Sequence, residues 1–150
     1  MFYTNVYIFG FSLDNKILLT GIVRSPNYPA NYPYNLNRTT TITAKEGMVV
    51  ELEFTAFNTE PGYDTLTILD NDGTVLSQER SGDCLPPKMW SRTNVVHLQF
   101  VTGGSGTGTG WSANWASVAP TGYTSKTKMI KSTKLNLPNR YRRTRNAMKN

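Results

Sequence analysis

The chain has 150 residues, 38% of them hydrophobic, which is enough for one modest core but not for two. No run approaches the roughly 18 apolar residues of a membrane span, so we expect no transmembrane segment in this sequence. A single cysteine, Cys84, excludes an intramolecular disulfide and a cysteine-based metal site, and taken alone it favours a reducing compartment.

Charge is distributed unevenly along the chain. Residues 1–83 contain all ten acidic residues and five of the sixteen Lys and Arg residues, which gives a net charge of −5. Residues 84–150 contain the other eleven basic residues and no acid, which gives +11. The overall charge of +6 therefore describes a basic C-terminal segment rather than a uniformly basic domain.

Alternation of apolar and polar residues is the main structural signal. Residues 1–18 form an N-terminal extension with a poor secretory signal, and Ile17 is expected to begin the first strand. Further along, four runs alternate with a period of two: MVVELEF at 48–54, TLTILD at 65–70, NVVHLQF at 94–100 and WSANW at 111–115. Asn71-Asp72-Gly73 is typical of a tight hairpin turn. These features predict an all-β sandwich of seven to nine short strands.

From Ala119 onwards the alternation stops. Nine Lys and Arg residues lie between 126 and 149 without any acid, so residues 119–150 are expected to be a disordered basic tail. Polyanion binding, to heparin-like glycans, anionic lipid or nucleic acid, is one interpretation. The basic residues singled out for it are Arg140, Arg142, Arg143 and Arg145. A solubilising extension is the other interpretation.

Six motifs in order carry a family resemblance. Gly21-Ile22-Val23 followed by SPNYPANYP resembles the start of a CUB domain. The later segments that resemble CUB motifs are ITAKEGMVVELEFTAFNTE, YDTLTILDNDG, SGDCLPP, WSRTNVVHLQF and GWSANW. The resemblance implies a CUB-like antiparallel β-sandwich of jelly-roll type over residues 19–118. The family usually has two disulfides, and here Arg38 stands where one of those cysteines is usual.

The resemblance also implies a function. CUB domains are extracellular modules that bind protein or glycan ligands without catalysis, so we expect the same here despite the cysteine count. In this sequence Asn37-Arg38-Thr39 is an N-glycosylation sequon, with an unmodified surface Asn37 as the alternative. His97, the one histidine, is expected to lie on a strand surface, since no nucleophile pattern accompanies it.

The resemblance places a binding site at one end of the sandwich. Many CUB domains bind Ca²⁺ through a Glu and an Asp at the positions of Glu60 and Asp64, with a third Asp where this chain has Gly103. Ligand contacts are expected from five residues: Glu60, Tyr63, Asp64, Ser105 and Thr107. The alternative is that Glu60 and Asp64 are solvated loop acids, with Asp64 accepting hydrogen bonds from backbone amides.

The stretch SPNYPANYP raises a separate question. Proline fixes φ and holds the preceding residue extended, so Tyr28 and Tyr32 are restricted in conformation. We expect a rigid crossover between strands whose tyrosine rings cover one end of the sandwich, with direct ligand binding by the tyrosines as the alternative. GGSGTGTG at 103–110 is expected to be a flexible loop between the last two strands rather than a nucleotide-binding loop, because no Lys-Ser/Thr follows it.

Overall fold

The computed structural model describes residues 6–13 and 16–120, which form nine strands and no helix. No membrane-spanning helix is therefore found within those ranges. In chain order the strands are β1 (Val6–Leu13), β2 (Lys16–Arg24), β3 (Asn37–Thr43), β4 (Val49–Asn58), β5 (Thr65–Asp70), β6 (Val75–Arg80), β7 (Met89–Trp90), β8 (Val95–Val101) and β9 (Gly110–Val118).

Two antiparallel sheets pack face to face. The five-stranded sheet has the order β1-β2-β9-β4-β7, and the four-stranded sheet has the order β3-β8-β5-β6. Every strand pair in both sheets is antiparallel. This architecture confirms the predicted all-β sandwich.

The alternation in sequence matches the burial in the structure. In β4, Leu52 and Phe54 face the core while Glu51 and Glu53 face outwards, and β8 alternates in the same way. The hairpin predicted at residues 71–73 joins β5 to β6, with Gly73 at φ +82°. The N-terminal strand was not predicted: β1 precedes the strand expected near Ile17 and pairs with β2 along its whole length.

Aromatic rings fill the middle of the sandwich. Phe100 and Trp111 are both 1% exposed, and their rings meet edge to face with centroids 6.0 Å apart. Phe54 packs edge-on against Trp111 at 6.2 Å, and Tyr32 packs edge-on against Phe100 at 5.1 Å. Edge-to-face geometry brings the positive ring edge to the negative ring face, so these contacts add to the stabilisation from burial alone.

The two ends of the sandwich differ. One end, called here the loop end, is formed by the crossover at 25–36, the turn at 59–64 and the loop at 102–109. The opposite end is held by Asp70, the last residue of β5, which has no exposed surface. Its carboxylate accepts the N–H groups of Arg92 (2.5 Å) and Thr93 (3.2 Å) and the hydroxyl of Thr93. A fourth donor is the N–H of Asn71, at 2.9 Å.

These donors decide the ionisation of Asp70. Burial raises the pKa of a carboxyl, but the hydrogen bonds from Thr93, Arg92 and Asn71 outweigh it and hold the pKa of Asp70 below its ordinary value of 3.8. A carboxylate with a lowered pKa in the folded state stabilises the fold above its unfolded pKa. That stabilisation is lost as the pH falls through the folded pKa.

We expect Asp70→Asn to lower the free energy of unfolding at pH 7 by about 1–3 kcal/mol, because the amide cannot accept all four hydrogen bonds. The variant should also lose less stability than the wild type between about pH 5 and pH 3, since its side chain does not titrate. Urea unfolding at several pH values measures both effects. Asp83→Asn, which changes an exposed acid, is the control, and an equal loss in both variants would contradict the prediction.

Candidate functional site

Three chain segments converge at the loop end. The crossover at 25–36 joins β2 to β3, the turn at 59–64 joins β4 to β5, and the loop at 102–109 joins β8 to β9. The crossover carries the SPNYPANYP stretch, and the loop carries most of the glycine-rich run. Direct hydrogen bonds link all three segments, so their relative positions are fixed by the fold itself.

Asp64 lies at the centre of these contacts and has no exposed surface. Its Oδ2 accepts the hydroxyl of Tyr32 at 2.5 Å, and its Oδ1 accepts the N–H of Gly103 at 2.7 Å. One side chain of the turn thereby binds both the crossover and the loop. Hydrogen bonds to a carboxylate are stronger than those between neutral groups, which suits Asp64 to hold segments far apart in sequence.

Tyr32 makes the second set of links. Its hydroxyl oxygen accepts the N–H of Glu60 at 2.9 Å, and its carbonyl accepts the hydroxyl of Thr107 at 2.7 Å. Its own N–H donates to the carbonyl of Gly108 at 3.2 Å. Burial of the phenol, and next its hydrogen bond to Asp64, raise the pKa of Tyr32 to about 12. The phenol therefore stays protonated and remains a donor at any physiological pH.

An open groove of about 400 Å³ lies beside this cluster. It is lined by Asn58, Thr59, Glu60, Pro61, Gly82, Asp83, Gly106 and Thr107. Two hydrogen bonds join the wall at Thr59 to the wall at Gly82: Thr59 N–H donates to the carbonyl of Gly82, and Gly82 N–H donates to the hydroxyl of Thr59. The groove therefore has fixed sides and two carboxyl groups, those of Glu60 and Asp83.

Gly106 allows the Glu60 carboxylate to lie close against the loop. The φ of Gly106 is +74°, a value that residues other than glycine rarely adopt. A Cβ added at this position would lie 2.1 Å from Cδ of Glu60. Any larger residue at this position would have to displace the carboxylate. The glycine-rich run thus has a local role in positioning an acidic side chain.

The structure brings together all five residues predicted for the site but gives them different surroundings. Tyr63 is 73% exposed and Ser105 is exposed, whereas Glu60 and Thr107 are half-buried in the groove wall. Asp64 faces Tyr32 and Gly103 inside the protein rather than solvent.

Three features of the site were missed from the sequence: the Tyr32 hydroxyl, the Gly103 N–H and Asp83. The ring of Tyr32 covers one end of the core, as the sequence predicts, and packs against Phe100. The second Tyr of SPNYPANYP could have indicated a donor to a buried acid. Nothing in the sequence marks Gly103 as a hydrogen-bond donor.

Other predicted residues lie elsewhere or outside the described part of the chain. Asn37 is exposed at the start of β3, and His97 lies on the outer face of β8 with its Nδ1 3.0 Å from the Thr41 hydroxyl oxygen. Cys84 is a free, exposed thiol. The four arginines predicted for polyanion binding, at 140, 142, 143 and 145, are outside the described residues.

The oxygen donors at the loop end make only part of a Ca²⁺ site. Ca²⁺ takes six to eight oxygen ligands, and a tight site usually supplies several carboxylates. Across residues 6–13 and 16–120, no group of three or more His, Cys, Asp or Glu residues is placed to hold a metal ion. Glu60 and Asp64 would supply the carboxylates, while the third expected position, Gly103, contributes an N–H that occupies Asp64. This donor set fits loose binding and not a tight structural site.

We expect Tyr32→Phe to loosen the loop end without disturbing the core. The ring still packs on Phe100, but the buried Asp64 carboxylate loses a donor, at a cost of about 1–3 kcal/mol in unfolding free energy. Urea unfolding and hydrogen exchange measure this, with faster exchange expected at the amides of Glu60 and Gly103. Tyr63→Phe, at an exposed tyrosine, is the matched control. Unchanged exchange at both amides would contradict the role given to the Tyr32 hydroxyl.

Comparison with known proteins identifies this arrangement. The CUB domain family pattern matches residues 14–115. Cubilin from Rattus norvegicus is 32% identical over 131 residues, which covers 81% of this chain and 4% of cubilin. The structure of the MASP-1 CUB2 domain bound to Ca²⁺ is 28% identical, with a TM-score of 0.58 over 64% of this chain and 90% of that domain. The human MASP-1/3 CUB1-EGF-CUB2 structure is 29% identical, with a TM-score of 0.60 over 65% of this chain and 39% of that one.

This chain therefore spans only a small part of the length of a relative such as cubilin. The match covers both Asn-Tyr-Pro triplets of the crossover and strand β9 up to Trp115. On the sequence pattern, the sandwich and its neighbours in structure, the chain belongs to the CUB domain family.

Proposed function

We propose that this chain is a non-catalytic extracellular module that binds a protein or glycan ligand at its loop end. The observation that carries the proposal is the groove beside Glu60, whose sides are fixed by internal hydrogen bonds before any ligand arrives. A site that is already ordered loses little conformational entropy on binding, so a modest contact area suffices. Membership of the CUB family supports the extracellular location and the binding role.

The chemistry of the groove favours a basic group on the ligand. Glu60 and Asp83 place two carboxyl groups on its lining, and the described residues of the lining include no Lys or Arg. Tyr63 lies in the same turn as Glu60 and is 73% exposed, so its ring is free to contact a ligand. We therefore propose that Glu60, Tyr63, Ser105 and Thr107 contact the ligand, while Asp64 holds the segments in place.

Non-catalytic binding is supported by the position of the one histidine. His97 lies on the outer face of the four-stranded sheet beside Thr41, whereas the groove lies at the loop end among Glu60, Asp83 and Thr107. Its walls are suited to recognition by charge and shape.

We expect Glu60→Gln and Asp83→Asn each to weaken retention on an immobilised oligolysine peptide, by about twofold to fivefold in affinity, as for other exposed charge pairs. The effect should decrease at high salt because the carboxylates are close to solvent. Surface plasmon resonance at two salt concentrations measures it. Glu46→Gln, which removes an equal charge in the exposed turn between β3 and β4 at the opposite end, is the control. A loss equal to that of the control would count against the groove.

A calcium-dependent form of the proposal uses Glu60 and Asp64 as ligands. It is supported by the Ca²⁺ in the MASP-1 CUB2 domain. Bound there, Ca²⁺ would neutralise the two carboxylates and, by coordination, hold the turn that carries both of them. With two carboxylates rather than three, we propose that the affinity is millimolar.

Millimolar affinity predicts a small thermal shift. At a Ca²⁺ concentration near Kd the stabilisation is about 0.4 kcal/mol, which corresponds to about 2 °C in Tm for a domain of this size. Differential scanning fluorimetry in Ca²⁺, Mg²⁺ and chelator measures it, with Glu60→Gln as the variant in which the shift should disappear. No shift in up to about 10 millimolar Ca²⁺ would remove the metal-dependent form and leave the groove proposal standing.

The basic tail supports a second candidate function, polyanion binding by residues 119–150. Nine basic residues without an acid favour contact with sulfated glycans, anionic lipid or nucleic acid. We expect the full chain to elute from heparin at a higher salt concentration than a chain ending at Pro120. A truncated chain that elutes at the same salt as the full chain would contradict this function for the tail.

A further inference from the structure

We propose that Asn37 carries an N-linked glycan and that this glycan covers the outward side chains of β3, β8 and β5 and the sheet edge formed by β3. The inference goes beyond ligand binding at the loop end. It rests only on the extracellular location proposed above.

The first argument is the accessibility of the sequon. Asn37 is the first residue of β3, and both Asn37 and Thr39 are exposed on the outer face of the sheet. Within residues 6–13 and 16–120, the Asn37 side chain makes no hydrogen bond. Glycosylation needs the amide nitrogen of the Asn and the hydroxyl two residues later, and both groups are on the surface here.

The second argument is the chemistry of the face next to Asn37. On β3, β8 and β5, which lie side by side in the sheet, the outward positions contain no Asp, Glu, Lys or Arg. They are Asn37, Thr39, Thr41 and Thr43 on β3; Val95, His97, Gln99 and Val101 on β8; and Thr65, Thr67 and Leu69 on β5. The five-stranded sheet differs, since its outer face carries Glu51 and Glu53 paired with Lys88.

The fourth strand, β6, does carry the exposed Glu79 and Arg80. An uncharged patch across three strands is still unusual for a soluble domain, whose surface normally mixes charges of both signs. The half-buried Val95, Leu69 and Val101 add apolar area to it. A glycan is neutral and strongly hydrated, so it can lie over threonine, glutamine and valine side chains without needing a charged partner. The sequon at Asn37 provides an attachment site for such a glycan at the edge of this face.

The third argument is the edge itself. β3 is an edge strand of its sheet. Its sequence, NRTTTIT, is rich in β-branched residues and contains one charged residue, Arg38. Exposed edges with this composition pair readily with another chain, and proteins usually protect them with charges, prolines or a covering group. A glycan on the first residue of β3 would prevent a second copy from pairing along the strand.

The geometry defines where the glycan should be detected. His97 lies opposite Thr41, four residues along β3 from Asn37, which is about 13 Å at 3.3 Å per residue. It is the one histidine in the sequence, so the acylated imidazole, measured separately from adducts of lysine, tyrosine and cysteine, reports on this face alone. Asn37 also lies opposite Val101, two residues before Gly103, so the glycan would begin beside the rim of the loop end.

The test uses the full chain, secreted from a eukaryotic cell behind a heterologous leader, which makes it independent of the native location. We expect the wild type to lose mass on treatment with peptide N-glycosidase, with conversion of Asn37 to Asp. Asn37→Gln and Thr39→Ala should lack this shift, and Thr39→Ser, which keeps the sequon, should retain it. An unmodified Asn37 in the wild type would overturn the proposal.

The covering role has its own readout. With diethyl pyrocarbonate, His97 should react more slowly in the glycosylated protein than in the same sample after enzymatic removal of the glycan, a comparison that needs no mutation. Removal should also increase self-association in sedimentation velocity, and Thr43→Lys in the Asn37→Gln background should reverse it by placing a charge on the face. Equal reactivity of His97 with and without the glycan would overturn the covering role, as would equal self-association.

Discussion

The loop end depends on one buried carboxylate. Asp64 accepts the Tyr32 hydroxyl and the Gly103 N–H, and so binds two segments that lie more than 30 residues from it in either direction. A carboxylate with no exposed surface is costly to bury unless its oxygens are hydrogen-bonded. The crossover, the turn and the loop are therefore constrained together, because moving any one of them leaves a buried charge without its donor. The groove inherits its shape from this constraint.

A similar arrangement holds the opposite end, where Asp70 accepts four hydrogen bonds from the turn after β5 and the segment before β8. The chain has no disulfide to do this work, since Cys84 is its one cysteine and is free. Two buried carboxylates link segments that are distant in sequence: Asp64, which directly precedes β5, and Asp70, its last residue. The donors to Asp70 lower the pKa of its carboxyl, so the stability of the sandwich responds to acid in a way that a covalent cross-link would not.

Much of the fold could be predicted from the sequence, because strands with one face in a core alternate in polarity. That pattern gave β4, β5, β8 and β9, and Asn71-Asp72-Gly73 gave the hairpin turn. β1 could not be predicted in this way, since its apolar run resembled a weak leader. The resemblance at Glu60 and Asp64 also predicts a binding site, and the structure places both residues at the loop end, while their role in binding stays a prediction. The hydrogen bonds within the loop end could not be predicted, because a donor such as the Gly103 N–H belongs to the backbone and is not indicated by residue identity.

The course of β9 has a consequence for how the domain resists force. The strand starts at Gly110, beside the groove, and runs to Val118 at the opposite end, a distance of about 26 Å. Val118 therefore lies at the end of the sandwich opposite the groove. A force applied between the groove and Val118 would act along the strands of the five-stranded sheet. Load in that direction shears many backbone hydrogen bonds at once, instead of opening them one after another.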